Sequence, residues 1–480
     1  MRSATIVLAG LTFLCAAGLI IRPAAGQAPA FDPAGSWLGT LSVSGIELRL
    51  VFNITKTPDG ALKATLDSPD QGAKGIPVES VKVEGNTLFL EAKALRMTYE
   101  GTYDPAAGTL KGTFTQGAAY PLTLKRVDKV PELNRPQTPK PPYPYLEENV
   151  SYENPAAGNK LAGTLTEPKT GGPFPAVLLI TGSGSQDRDE TIFGHKPFKV
   201  IADDLTRAGL AVLRVDDRGV GGSTGSVATA TSEDFAGDVL TGVEYLKGRP
   251  DIDPKRIGLI GHSEGGLIAP MVAAESPDVA FIVLLAGTGV TGEQILYEQG
   301  ALIARAEGAP EEAIAKTLDF QKKAFAVIKA DKDAKAVEEK LRPILAAGYA
   351  MLSQDEKKAA GGEEQWTKVQ VQVLNSPWMR FFLTYDPKTA LTKVRCPVLA
   401  MGGSLDLQVP AKENLAAIGD ALRAGGNANF KTLELPGLNH LFQTAKTGGV
   451  TEYARSEETI APAALAALRE WILSVTGLTK

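Results

Sequence analysis

The stretch "GLIGHSEGG", residues 258–266, places a serine between glycines two positions away on either side, directly behind a short apolar run. A serine hydroxyl is a poor nucleophile at neutral pH, so such a site needs a base beside Ser263 and a carboxylate to hold that base in the right tautomer. In a chain with 50 glycines the G-x-S-x-G pattern alone decides little. Context decides more. Residues 256–260 read as a buried strand, 261–265 as a turn and 266–274 as a helix, the order that presents a serine on a sharp elbow. The glycines then have a job, because side chains two positions from a strained Ser263 would collide. The alternative is a glycine-rich turn without chemistry.

The base is nearly forced. The chain holds three histidines, His195, His262 and His440. In the order serine, acid, histidine that accompanies this elbow, only His440 follows the nucleophile. It stands in "LELPGLNHLF", on a loop after the strand-like "FKTLEL". His262 adjoins Ser263, so its ring is expected to point elsewhere, lining the pocket floor or packing in the core. His195, in "TIFGHKPF", is expected to be structural. For the acid, "VLAMGGSLDLQVP" offers Asp406 after a resumed strand. Its alternative is a turn or helix-entry aspartate ahead of Pro410. An oxyanion site needs two backbone donors. Glu264 supplies one N–H, and "TGSGS" supplies the other at Ser183, with Gly184 and Ser185 as possible replacements. That loop lacks the G-x-x-x-x-G-K-[ST] arrangement of a phosphate loop.

The elements that must position these residues fall into blocks. Arg2 precedes an apolar run over residues 4–21, and Ala24, Ala25 and Gly26 follow it. This reads as a secretory signal peptide over residues 1–26, with a secreted or periplasmic product. An uncleaved anchor is the alternative, although about 18 residues is at the lower limit for spanning a bilayer. Residues 33–128 alternate like short strands separated by turn signals, without a helical period, and predict a small antiparallel sandwich or barrel of seven or eight strands. "VPELNRPQTPKPPYPY" then predicts an extended, stiff linker over residues 129–146. From 147 to 480, near-continuous apolar strands alternate with helical stretches, the pattern of a doubly wound, mostly parallel sheet covered on both faces. Residues 291–390 turn charged and helical, which predicts a cap over the mouth of the site rather than a plain surface excursion.

Composition excludes several functions. At 44% hydrophobic and 22% charged the chain is ordinary globular material. A net charge of −5 without a basic stretch lacks the footprint that nucleic acid requires. Cys15 falls in the leader and Cys396 is then alone, so neither an internal disulfide nor a cysteine zinc site is expected. No cofactor or metal is expected, and nothing speaks to oligomeric state.

With Ser263, Asp406 and His440 in place, residues 150 onward resemble the α/β-hydrolase superfamily. "TGSGSQDRDETIFGHKPF", "VLRVDDRGVGGSTG", "GLIGHSEGG" and "GGSLDLQVP" resemble the bacterial EstD-type carboxylesterases, which carry an extra amino-terminal domain. The resemblance implies ester hydrolysis through an acyl-enzyme on a small or acylated substrate. An acyl-peptide or aminopeptidase-like hydrolase is the alternative, and a non-catalytic binding protein on an inactive scaffold is the second. The charged runs "QDRDE" and "DDRGVGGS" are read as structural, their Asp and Arg side chains ordering loops by bidentate hydrogen bonds.

Overall fold

The computed structural model describes residues 31–478 apart from 44–45, 72 and 131–132. The expected leader, residues 1–26, lies outside the described residues.

Two sheets organise the chain. The first contains β1 (Gly35–Val43), β2 (Ile46–Lys56), β3 (Leu62–Ser68), β4 (Ala73–Val78), β5 (Ser80–Glu84), β6 (Thr87–Ala92), β7 (Met97–Asp104), β8 (Thr109–Gln116) and β9 (Ala118–Val127). All neighbours are antiparallel, in the order β4-β3-β2-β1-β9-β8-β7-β6-β5. Strand alternation puts Trp37, Phe52, Leu88, Tyr99 and Leu110 on one buried face. The two edge strands are consecutive in sequence, so the sheet curls until its ends approach. Nine strands stand where seven or eight were expected. β4 carries a glycine and a proline, and Pro77 is tolerated because β4 is an edge with no ladder on its outer side.

The second sheet contains β10 (Leu146–Asn154), β11 (Asn159–Glu167), β12 (Phe174–Ile180), β13 (Ala211–Val215), β14 (Ile252–His262), β15 (Val279–Leu285), β16 (Val398–Gly403) and β17 (Phe430–Leu435). Its order is β10-β11-β13-β12-β14-β15-β16-β17. The first three neighbours in that order pair antiparallel, and every later pair is parallel. The central strands are apolar on both faces because both are covered. On one face, α2 (Ser232–Lys247), α3 (Glu264–Glu275) and α11 (Ala411–Ala424) enclose a core around Leu178, Leu259 and Ile282. On the other, α1 (Pro197–Arg207) and α12 (Pro462–Thr476) pack on Leu179, Ile260 and Val283.

Between β15 and β16 run α4 (Gly292–Ala306), α5 (Glu311–Ala330), α6 (Ala334–Met351), α7 (Gln354–Ala360), α8 (Glu363–Leu374), α9 (Pro377–Thr384) and α10 (Lys388–Leu391). These helices have their own core around Phe325, Leu341, Leu345 and Leu383. They rest on the sheet body through Ile295 and Phe382, which meet Leu267 of α3 and Val409.

The proline-rich segment differs from a free spacer. It is irregular, as its prolines dictate, yet it is tied down. The Arg135 guanidinium donates to the carbonyls of Phe193, Ala454 and Ser456, Gln137 bonds the backbone of Thr459 and Ile460, and the Tyr145 hydroxyl donates to Asp203 of α1. Among the described residues, no helix is long and apolar enough to cross a membrane.

Candidate active site

The elbow is tighter than the sequence indicated. Strand β14 runs to His262 and α3 begins at Glu264, so Ser263 alone makes the reversal, at φ 53° and ψ −114°. A non-glycine residue held there stores about 1–3 kcal/mol of strain. The surroundings enforce it. The Ser263 N–H donates to the Leu285 carbonyl at 2.8 Å. A Cβ on Gly261 would run into the Gly265 carbonyl, one on Gly265 into that of Ile180, and one on Gly266 into Gly287. The glycines are therefore fixed by backbone contact, Gly261 across the turn and Gly265 and Gly266 against the ends of β12 and β15. The Ser263 hydroxyl makes no capping bond to the helix it opens.

Asp406 follows β16 and His440 follows β17, both at the carboxyl end of the parallel strands, where Ser263 also stands. His440 Nδ1 lies 2.8 Å from Asp406 Oδ2, with both residues buried. The other carboxylate oxygen, Oδ1, accepts the N–H groups of Gln408 and Val409, each at 2.8 Å. A carboxylate so placed fixes the ring with the proton on Nδ1 and leaves Nε2 to accept. The His440 ring lies 4.9 Å, centroid to centroid, from that of His262, which precedes the serine. The structure thus brings His440 and Asp406 into contact and seats the His440 ring beside His262, the residue before Ser263.

Of the two backbone donors, neither the Glu264 N–H nor the Ser183 N–H has a backbone acceptor among the described residues. The preceding Gly182 N–H is taken: it donates to Glu190 Oε1 at 2.7 Å. That engagement leaves the N–H groups of Ser183, Gly184 and Ser185, all exposed, without a backbone acceptor among the described residues.

His195 is buried, with Nδ1 2.9 Å from Thr459 Oγ1 and Nε2 3.0 Å from the Tyr453 carbonyl. Burial, reinforced by the nearby Arg135 charge, pushes it down to about 4, so it is neutral. His262 packs under the site, with Nδ1 2.9 Å from Glu190 Oε1 and Nε2 3.0 Å from the His440 carbonyl. The charged runs order loops as expected. Arg188 grips Asp216 with two bonds of 3.0 and 2.6 Å, and Arg214 pairs with Asp189.

Three residues were missed. Glu190 and Asp217 stand in the sequence only as members of the two charged runs. Trp378, on α9, reaches back to donate its Nε1–H to Glu264 Oε1 at 2.7 Å, and Ser232 donates to the same oxygen at 2.6 Å. Burial raises the Glu264 carboxyl, and these two donors partly offset the rise. Asp217 accepts the Thr181 hydroxyl and the Gln186 N–H; burial pushes it up to about 7 against those bonds, with Glu190 and Glu264 adding repulsion. A cavity of about 50 Å³ beside the elbow is lined in part by Gly182, Gly184, Asp217, Phe235, Glu264 and Ile268. No local sequence signal connects Trp378 or Asp217 to Ser263.

A strand order of 1-2-4-3-5-6-7-8 with an antiparallel second strand, and a serine elbow after the fifth strand, define an α/β-hydrolase fold preceded by an all-β sheet. Within that class, the chain belongs to the X-Pro dipeptidyl-peptidase (S15) family, whose profile matches residues 157–435. It is 33% identical over 215 residues to Esterase EstD of Thermotoga maritima, covering 44% of this chain and 51% of that protein. It is 38% identical over 125 residues to the putative hydrolase YtaP of Bacillus subtilis, covering 22% of this chain and 41% of that one. The chain thus spans about half the length or less of these curated relatives. The crystal structure of the α/β-hydrolase GrgF from Penicillium sp. sh18 aligns with 69% of this chain and 100% of its own, at 17% identity and a TM-score of 0.44.

Proposed function

We propose that the protein is a serine hydrolase that cleaves carboxylic esters through an acyl-enzyme, with Ser263 as nucleophile, His440 as base and Asp406 as its orienting acid. The observation that carries this reading is the His440–Asp406 pair, which leaves Nε2 free to accept on a ring packed beside that of His262, the residue before the strained serine. Ser263 Oγ attacks the ester carbonyl while His440 Nε2 takes its proton. The oxygen of the tetrahedral adduct gains negative charge and receives the Glu264 and Ser183 N–H groups. As the C–O bond breaks, His440 returns the proton to the departing alcohol. Water then attacks the acyl-enzyme by the same route and releases the acid. The 33% identity to an esterase supports this choice over peptide cleavage.

The substrate is a small or acylated molecule, taken up beneath the α4–α10 cap. The apolar run over residues 4–21 and the small residues after it support export to the periplasm or beyond. Amino-terminal sequencing of the periplasmic fraction tests that, with a start near Gln27 expected. The activity is tested by turnover of nitrophenyl esters of graded acyl length beside aminoacyl and X-Pro anilides, with Ser263→Ala as control. Cleavage of the anilides alone would overturn the ester reading.

A further inference from the structure

Beneath the elbow, one buried carboxylate–imidazole contact touches both loops that the proposed chemistry uses. Glu190 Oε1 receives the Gly182 N–H at 2.7 Å and faces His262 Nδ1 at 2.9 Å. His262 Nε2 lies 3.0 Å from the His440 carbonyl oxygen. A backbone carbonyl only accepts, and so does an ionised carboxylate, so one imidazole satisfies both partners only when both of its nitrogens carry protons. Glu190 is itself held rigidly, at φ 51°, with its N–H on the Asp187 carbonyl. Gly182 has no room to drift: a Cβ there would stand 3.2 Å from Glu190 Oε1 and 3.3 Å from Ser263 Cβ.

We propose that Glu190 and His262 are positioning residues for the hydrolytic site: a buried carboxylate–imidazolium pair that fixes the Gly182–Ser183 donor loop at one end and the backbone of the His440 loop at the other. The inference rests on the serine-hydrolase reading for its function, and on the hydrogen bonds alone for its existence. The titratable groups that face His262 are Glu190, Asp406 and the His440 ring; the rest of its surroundings, from Pro197, Phe198 and Ile201 on α1 to Leu285, Leu441 and Phe442, is apolar. Burial alone disfavours its charge, yet the Glu190 charge and hydrogen bond, the His440 carbonyl and Asp406 together raise His262 above the ordinary histidine value. The sign follows: the pair is held below the ordinary histidine value and is lost as pH rises through the raised one. Loss of the proton removes one donor from His262, so one of the two loops is released.

The chain has only three histidines, so ¹⁵N-imidazole NMR of the full-length protein reads His262 directly, with His262→Gln as the assignment control. At pH 6.5 the His262 signals should be chiefly those of a doubly protonated ring while His195 is neutral. Glu190→Gln keeps an acceptor for Gly182 but removes the charge. It should shift the His262 titration to lower pH and lower kcat on a nitrophenyl ester about tenfold to a hundredfold, with KM within about threefold, since displacements near 1 Å cost that much. It should also move the alkaline fall of kcat to lower pH and slow fluorophosphonate labelling of Ser263 in parallel. A purely structural role would lower the melting temperature without moving the pH profile. A neutral His262 in the wild type at pH 6.5 overturns the ion pair, whether or not the variant folds. A folded Glu190→Gln protein with wild-type kcat, labelling rate and pH profile overturns the positioning role. Failure of the wild type to label at Ser263 overturns the hydrolase reading and the positioning role with it, while the NMR result stands apart.

Discussion

Replacing Asp406 by asparagine tests the proposed site most sharply, because the structure dictates which way the amide must turn. Oδ1 of Asp406 holds two backbone N–H groups, from Gln408 and Val409, while Oδ2 faces His440 Nδ1. An amide has one oxygen and one NH₂. If the NH₂ faced Gln408 and Val409, two buried donors would lose their acceptor, at about 1–3 kcal/mol each. The oxygen therefore stays on the backbone pair and the NH₂ points at the imidazole. Nδ1 must then accept, which puts the ring proton on Nε2, where it can no longer take the serine proton. The expected loss in kcat is about 10⁴-fold, as for the corresponding change in other triads, or about 5.5 kcal/mol of activation free energy. Stability should barely change, since size and both backbone bonds are kept. Asp406→Ala should behave differently, losing about 2–4 kcal/mol of stability with its two orphaned N–H groups. Steady-state turnover of a nitrophenyl ester, with thermal melts of both variants, makes the comparison. A folded Asp406→Asn protein within tenfold of wild-type kcat would refute the reasoning and move the acid elsewhere.

Ser263→Ala should abolish both turnover and fluorophosphonate labelling while the melt stays near wild type or rises, because alanine leaves the backbone turn in place; residual labelling would place the nucleophile elsewhere. Trp378→Phe keeps the ring stacked on Phe382, at 4.9 Å, but removes the donor to Glu264, so it should loosen cap docking by about 1–2 kcal/mol and appear mainly in KM for longer acyl esters, with faster hydrogen exchange in α9. Arg135→Ala removes the clamp on the Phe193, Ala454 and Ser456 carbonyls and should cost about 2–4 kcal/mol by urea unfolding; no change would mean the proline-rich segment contributes nothing to the catalytic half. Asp217, raised from 3.8 to about 7, binds its proton more tightly when folded. Its contribution to stability is fully present below about pH 4 and is lost as pH rises through about 7, so Asp217→Asn should flatten the stability profile over that range in urea titrations.

What could be read in the sequence is what the chain states locally. The strand, Ser263 and the helix that follows it lie within two dozen consecutive residues, and the glycines there are dictated by how closely backbone passes the turn. That Asp406 and His440 would meet was legible for a different reason: each sits on a short loop after an apolar strand, and the supply of histidines left no rival. The all-β character of residues 35–127 followed from alternation, but the count of strands did not, because an edge strand such as β4 tolerates the glycine and proline that elsewhere end one. The tertiary structure decided everything that depends on distant partners. Glu190 and His262 are 72 residues apart, Glu264 and Trp378 are 114 apart, and Arg135 and Ser456 are 321 apart. The physical reason is common to all of them. A hydrogen bond's energy depends on atoms meeting within about 3 Å and leaves no periodic trace along the chain, whereas burial of a strand or helix face repeats every two or 3.6 residues and so writes itself into the sequence.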